Sequence, residues 1–149
     1  PLPPDDVEGL RFVRERVDLP IMADESIWTP HDAMHCIRHQ AVDVFNVYVS
    51  EAGGLGSAAR IFSIAEAARL PCIIGSMPEL GIGTAAQAHL AFAMPNLGYA
   101  SDVNGCVYHS GDVINEKLPI EDGYMLLPSG PGLGVSLDEA ALDKYRIDR

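Results

Sequence analysis

Apolar positions along the chain switch repeatedly between a helical period and short unbroken runs. Behind Asp5-Asp6, the residues Val7, Leu10, Val13 and Val17 recur at near-helical spacing, which predicts a first helix from Asp5 or Asp6 to Arg16. Leu19-Pro20 ends it. Ile21-Met22-Ala23 is then a brief apolar run that stops at Asp24-Glu25-Ser26, the pattern of a buried strand ending in acids. Thr29, Pro30 and Asp32 read as an N-cap, a first-turn proline and a capping-box variant, so a second helix is expected over about 30–40. Val42 to Val49 is β-branched and aromatic with little polar alternation, as in a parallel strand covered on both faces. Gly53-Gly54 breaks it. Ile61, Ile64, Ala65 and Ala68 mark a third helix, Cys72-Ile73-Ile74 a third strand, and Ala85 to Ala93 a fourth helix.

Strand starts near Ile21, Val44, Cys72 and Ala100 lie about 23 to 28 residues apart with a helical pattern in each gap, the length a parallel crossover requires. A doubly wound open sheet and a closed barrel both fit this rhythm. Acids placed just past strand ends favour the barrel, and no G-x-G-x-x-G follows a strand. Four units are half of eight. Half a barrel leaves two open sheet edges, which folded proteins avoid, so the other strands are expected from sequence outside this chain or from another chain. Past Asp102 the pattern turns irregular, through Asn104-Gly105, Glu121-Asp122-Gly123 and Pro128 to Gly132, and reads as a wrapping tail. Leu137 to Tyr145 predicts one short terminal helix with acids early and Lys144 late, matching the helix dipole. Residues 1–149 are expected to form part of one domain, with no second domain among them.

Composition narrows the function classes. The 149 residues are 48% hydrophobic and 21% charged, which excludes disorder as the main state. Ten Lys and Arg against 21 Asp and Glu give a net charge of -11, which repels nucleic-acid phosphates and anionic lipid heads. Neither nucleic acid nor a membrane surface is an expected partner. No run approaches a membrane span and no signal peptide is evident, so a soluble chain is expected. Cys36, Cys72 and Cys106 are few, odd in number and set in apolar or mixed surroundings, which predicts reduced thiols and a cytoplasmic protein. The opening Pro1-Leu2-Pro3-Pro4, without an initiating methionine, suggests a piece of something longer.

Asp24 is the sharpest chemical candidate: a carboxylate directly past an apolar strand is well placed to ligate a hard cation, with Glu25 beside it to ligate or orient. The plainer alternative is that both acids cap the loop or face solvent. Asp102, ending the fourth strand, repeats the arrangement, and two such acids on neighbouring strand ends of a barrel converge on one mouth. A period of two along the second strand puts Phe45, Val47 and Val49 on one face and Val44, Asn46, Tyr48 and Ser50 on the other, where the polar set would line the barrel interior. Tyr48 is then a hydrogen-bond donor or, with a depressed pKa, a proton-transfer group; its reference value near 10 argues for the former. A half-buried tyrosine with a satisfied hydroxyl is the alternative. His31, His35 and His39 share a helix face at zinc-like spacing, but a solvated stripe is the better reading because no further ligand completes the set. Gly81-Ile82-Gly83-Thr84 opens a helix that could meet an anion, yet lacks a P-loop lysine and reads as packing geometry. There is no G-x-S-x-G, so hydrolase readings lose support.

Several strings occur in order: Pro20-Ile21-Met22-Ala23-Asp24-Glu25-Ser26, Glu51-Ala52-Gly53-Gly54-Leu55, Gly75-Ser76-Met77-Pro78-Glu79-Leu80-Gly81-Ile82-Gly83-Thr84, Ser101-Asp102-Val103-Asn104-Gly105 and Pro131-Gly132-Leu133-Gly134-Val135. Together they resemble the C-terminal part of the enolase superfamily, in its mandelate racemase and muconate-lactonizing (muconate cycloisomerase) branch. The resemblance implies an α/β fold, the C-terminal half of a modified TIM barrel, (β/α)7β, whose N-terminal capping domain and first barrel strands lie outside this chain. It implies Mg2+ held by acids on the third, fourth and fifth strands. Asp24 matches the fifth-strand ligand with Glu25 as its companion, and Asp102 matches an acid facing the substrate. The implied chemistry is abstraction of the proton α to a carboxylate of a small organic acid, in an isomerase or lyase expected as a homo-oligomer. The sixth-strand position that carries a base lysine in the lactonizing group is Tyr48 here, and only Lys117 and Lys144 occur in the chain. No histidine of the racemase group stands at Gly75. A one-base dehydration or cycloisomerisation run by a lysine upstream of residue 1, with Tyr48 as acid or substrate contact, is therefore expected over two-base racemisation. The alternative is a catalytically incomplete half-barrel.

Overall fold

The computed structural model describes residues 2–147. Helix α1, Val7–Arg14, begins where the Asp6 carboxylate accepts from the Gly9 N–H at 2.8 Å, satisfying one of the unpaired donors of a first helical turn. Regular helix stops two residues before Arg16, the chain closing instead in a turn through Glu15 and Arg16. Strand β1 is Met22–Ala23 and helix α2 is Pro30–Arg38. The capping box forms as its spacing requires: Asp32 N–H donates to Thr29 Oγ1 at 3.2 Å, and Thr29 N–H returns a bond to the Asp32 carboxylate at 2.9 Å.

Strand β2, Val44–Tyr48, is the most buried strand, and the positive φ of Gly53 and Gly54 turns the chain sharply into α3, Leu55–Ala67. Strand β3, Cys72–Gly75, and helix α4, Gly81–Ala93, follow. The three strands pair in chain order β1-β2-β3, all parallel, with Ala23 opposite Phe45 and Tyr48 opposite Gly75. Each parallel step is bridged by a helix, as a crossover demands.

The expected fourth strand near Ala100 does not form as a regular strand. Instead the segment after α4 runs parallel to β3 through a single bridge, Cys72 to Leu97, and is tied down by Gly98 N–H to the Cys72 carbonyl and Asp102 N–H to the Ile74 carbonyl. Backbone pairing is made at Asn96 to Gly98, but further along Ile74 N–H goes to the Ser101 hydroxyl at 3.0 Å in place of a backbone carbonyl, so the ladder is not continued. The segment nonetheless lies where a further strand would lie.

Phe45, Val47, Ile61, Phe62 and Ala65 are fully or almost fully buried between the sheet and the helices outside it. Each such large side chain contributes on the order of 1.5–3 kcal/mol relative to exposure. The period-two reading of β2 therefore holds: Phe45 and Val47 enter this core, while Asn46 and Tyr48 bond one another on the opposite face.

The tail contains a two-stranded hairpin that the irregular reading missed, β4 at Ile120–Glu121 and β5 at Tyr124–Met125. Its turn, Asp122-Gly123, has positive φ at both residues, the left-handed turn that Asp-Gly favours. The terminal helix α5 is Glu139–Tyr145, capped by the Asp138 carboxylate on Ala141 N–H. Cys36 and Cys72 are buried free thiols and Cys106 is half-buried; burial pushes Cys36 up to about 11 and Cys72 to about 12. Among the described residues no helix is long and apolar enough to cross a membrane.

Candidate active site at the carboxyl ends of the strands

Parallel strands deliver the residues that follow them to one end of the sheet, so the loops after β1, β2 and β3 share a rim. Asp24 and Glu25 follow β1, Glu51 follows β2, and Glu79 follows β3. Asp24 is half-buried and Glu25 exposed.

Two side chains of β2 hold Asp24 in place. The Asn46 amide Nδ2 donates to Asp24 Oδ1 at 2.9 Å and to the Tyr48 hydroxyl oxygen at 3.1 Å, and that hydroxyl is itself bonded to Asp24. Gly75 makes this triangle possible. A Cβ there would fall 2.6 Å from Asn46 Oδ1 and 2.6 Å from the Tyr48 ring, so the register partner of Tyr48 has to lack a side chain.

Burial pushes the Tyr48 hydroxyl far above its ordinary value, and the bond to Asp24 and the charges of Asp24, Glu25 and Glu51 push it further. The depressed pKa entertained for Tyr48 is thus not found, and its hydroxyl stays neutral as a donor. Glu51 is raised by burial and then by Glu25, Asp24 and Glu79, all of like charge. Glu79 behaves oppositely. Its own burial pushes it up, but the Ser76 hydroxyl at 2.7 Å, Met77 N–H at 3.0 Å and Gln87 outweigh that and hold it below the usual carboxylate range.

Asp102 stands apart from this cluster. Its backbone N–H is anchored to β3, but its carboxylate is exposed and takes no side-chain hydrogen bond or ion pair among the described residues. The N-terminus of α4, weighed as an anion site, is already occupied from within: Asp112 places both carboxylate oxygens 2.9 Å from Gly81 N–H. His35 and His39 lie edge to face at 4.5 Å, and among the described residues no group of three or more His, Cys, Asp or Glu is arranged around a metal position.

The sequence placed Asn46 with the polar set on the interior face of β2 without giving it a role, and did not single out Glu51 and Glu79. A signal existed for each. Asn46 is the one amide in an otherwise apolar and aromatic strand, Glu51 sits at the register where strand gives way to Gly53-Gly54, and Ser76-x-x-Glu79 has the spacing of a reciprocal side-chain pair.

Asp24 and Glu25 offer oxygen donors only, the set a hard divalent cation takes. The orientation of Asp24 by an amide and a hydroxyl is the kind of outer support that fixes a ligating carboxylate. These residues fit part of a magnesium site and leave the remaining ligands to come from elsewhere.

Comparison with known proteins agrees with this geometry. The family model described as enolase C-terminal domain-like matches residues 1–141. Muconate cycloisomerase 1 of Rhodococcus opacus is 37% identical over 145 residues, covering 97% of this chain and 39% of that protein. L-Ala-D/L-Glu epimerase of Bacillus subtilis is 35% identical over 135 residues, covering 91% of this chain and 37% of its own length. The crystal structure of 2-chloromuconate cycloisomerase from Rhodococcus opacus superimposes with a TM-score of 0.95 at 36% identity, over 99% of this chain and 40% of that one. The chain thus spans about 39% of the relative it matches at 37% identity.

Proposed function

Since the chain belongs to the enolase C-terminal domain-like family, we propose that it forms the C-terminal portion of a magnesium-dependent isomerase or lyase barrel that removes the proton α to a carboxylate of a small organic acid. The observation that carries this reading is Asp24, held by Asn46 and Tyr48 on the rim where parallel strands end. Asp24 would hold the ion with Glu25 beside it, and ligands outside this chain would complete the shell. Magnesium, when bound, stabilises the negative charge that develops on the substrate carboxylate as the proton leaves.

Tyr48 is neutral and bonded, so it donates a hydrogen bond and does not abstract the proton. Lys117 and Lys144 lie exposed in the tail, Lys117 just before β4 and Lys144 in α5, and neither bonds a residue of the rim among the described residues. The base therefore comes from outside this chain, which favours a one-base dehydration or cycloisomerisation over racemisation by two bases. Asp102, on the segment beside β3, is assigned to the substrate side of the mouth. The assembly is proposed as a homo-oligomer acting on small carboxylates in the cytoplasm.

A second reading is a half-barrel with no activity of its own: among the described residues no group of three or more His, Cys, Asp or Glu is arranged to hold a metal ion. Magnesium titration by calorimetry separates the two. The complete barrel should bind the ion and lose at least tenfold in affinity on Asp24→Ala, whereas unchanged binding in that variant would remove Asp24 from the site. Tyr48→Phe should slow deuterium exchange at the substrate α-carbon in heavy water by 10-fold or more, with full retention of exchange excluding a role for the hydroxyl.

A further inference from the structure

The five histidines of the chain are not used alike. His89 and His109 each set a ring nitrogen against a backbone carbonyl, that of Leu133 at 3.1 Å and that of Pro78 at 2.7 Å. His35 and His39 on α2 do not. Among the described residues their rings make no hydrogen bond and no ion pair, and the ring contact they make is with one another, edge to face with centroids 4.5 Å apart. His35 is exposed and His39 half-buried. Two such rings serve as ligands only if they are placed to share one ion and are held there.

Residues four apart lie one above the other on a helix face. An imidazole nitrogen stands about 1.1 Å from its ring centre, so a metal bound at about 2.0–2.1 Å lies about 3.2 Å from that centre; two rings at a right angle around it then have centres about 4.5 Å apart. His35 and His39 already have that spacing. The turn that carries them is fixed as well. His39 closes α2 in helical conformation, with its N–H donating to the His35 carbonyl at 3.1 Å. Gln40 follows at a φ of 50°, and Ala41 N–H reaches back to the Cys36 carbonyl at 3.1 Å, the closing pattern of a helix that ends in the left-handed region. Arg14 fastens this turn from α1, its Nη1 donating to the Gln40 carbonyl at 3.1 Å, and Cys36 anchors it in the core. Ligands held in place beforehand lose little freedom on binding.

The helix itself favours a cation at this position. The pair belongs to the last turn of α2 and its cap, where the final carbonyls carry the negative end of the helix dipole. His31 lies in the first turn, at the positive end, and makes no ring contact among the described residues.

We propose that His35 and His39 together hold one late first-row divalent ion, Cu2+ foremost, with water in its remaining positions. Imidazole suits copper, nickel and zinc, and Cu2+ heads their order of affinity. Magnesium prefers oxygen and does not compete. No third His, Cys, Asp or Glu joins the pair among the described residues, so the ion is exchangeable, unlike a structural zinc closed by four protein ligands. Helix α2 leaves the loop of Asp24 and ends where β2 begins, so the site stands whether or not the rim binds magnesium.

The test adds Cu2+ alone to the complete protein saturated with magnesium, with affinity read by calorimetry and nitrogen ligands by pulsed electron paramagnetic resonance. We expect one ion with two imidazole nitrogens. His35→Ala or His39→Ala should leave one such nitrogen and weaken binding about tenfold or more, because the second ligand no longer acts within the molecule. His31→Ala should change affinity less than about twofold. An absence of imidazole signal in the unaltered protein would overturn the proposal. Two imidazoles surviving in His39→Ala, or an equal loss from His31→Ala, would overturn it too, the latter showing a loose stripe in which any two rings serve.

Discussion

The two ends of the parallel sheet treat the same residue type in opposite ways. At the end where the strands begin, Asp43 accepts from Arg14 Nε at 2.7 Å and from Ile21 N–H at 2.9 Å, a carboxylate neutralised and bonded. At the end where they finish, Asp24, Glu25, Glu51 and Glu79 stand with no cation among the groups that shift Glu51 or Tyr48. The first arrangement joins α1 to the sheet. The second tolerates mutual repulsion, which folding alone would not select, and so marks the end where a ligand supplies the missing charge.

The largest break in that contrast is expected from Gly75→Ala, since a Cβ there collides with Asn46 and Tyr48. Overpacking of this kind costs about 1–3 kcal/mol, read as a lower denaturation midpoint together with weaker magnesium binding. An unchanged midpoint would show that the triangle has room to shift. Next comes Asp43→Asn at the opposite end. Both partners are about a third exposed, which screens the pair, so a loss of about 1 kcal/mol is expected with magnesium affinity unaffected. Glu51→Gln should carry the other sign, gaining up to about 0.5 kcal/mol by relieving like charge; a clear loss of stability would mean that Glu51 has a stabilising partner.

The smallest effect is in pH dependence. Glu51 is raised above the ordinary 4.5, so its ionisation works against folding at neutral pH, and that penalty fades as pH falls through the raised value toward 4.5. Glu79 is lowered, so its contribution is complete above 4.5 and is lost as pH falls from there through its lowered value. Urea midpoints against pH, each wild-type curve paired with Glu51→Gln or Glu79→Gln, should separate above 4.5 for the first, and for the second should stand apart above 4.5 and close up below it. Coincident curves for either pair would contradict the assignment of that carboxylate.

Much of the frame was legible beforehand. Thr29, Pro30 and Asp32 announced the start of α2 because capping is a local reaction between a side chain and backbone three residues away. The faces of β2 followed from alternation alone, and Asp24 from its position past an apolar run. The strand expected at Ala100 failed because pairing depends on which group meets the neighbouring strand, and at Ile74 N–H that group is the Ser101 side chain and not a backbone carbonyl. Glu79 escaped notice because its importance lies in Ser76 and Met77 fixing it and in Glu51 facing it, and the latter comes from a different loop.

What the sequence decided by itself was local: caps, turns, the period of each element and the order of helix and strand, all set by contacts within a few residues. Which carboxylates meet and why Gly75 cannot carry a side chain were decided by the parallel register. That register brings residues 22 to 29 positions apart to a single rim, as with Asp24 and Asn46 or Ser50 and Glu79. Chain neighbours carry no trace of such distances, because the energy that selects them is the burial of the sheet as a whole.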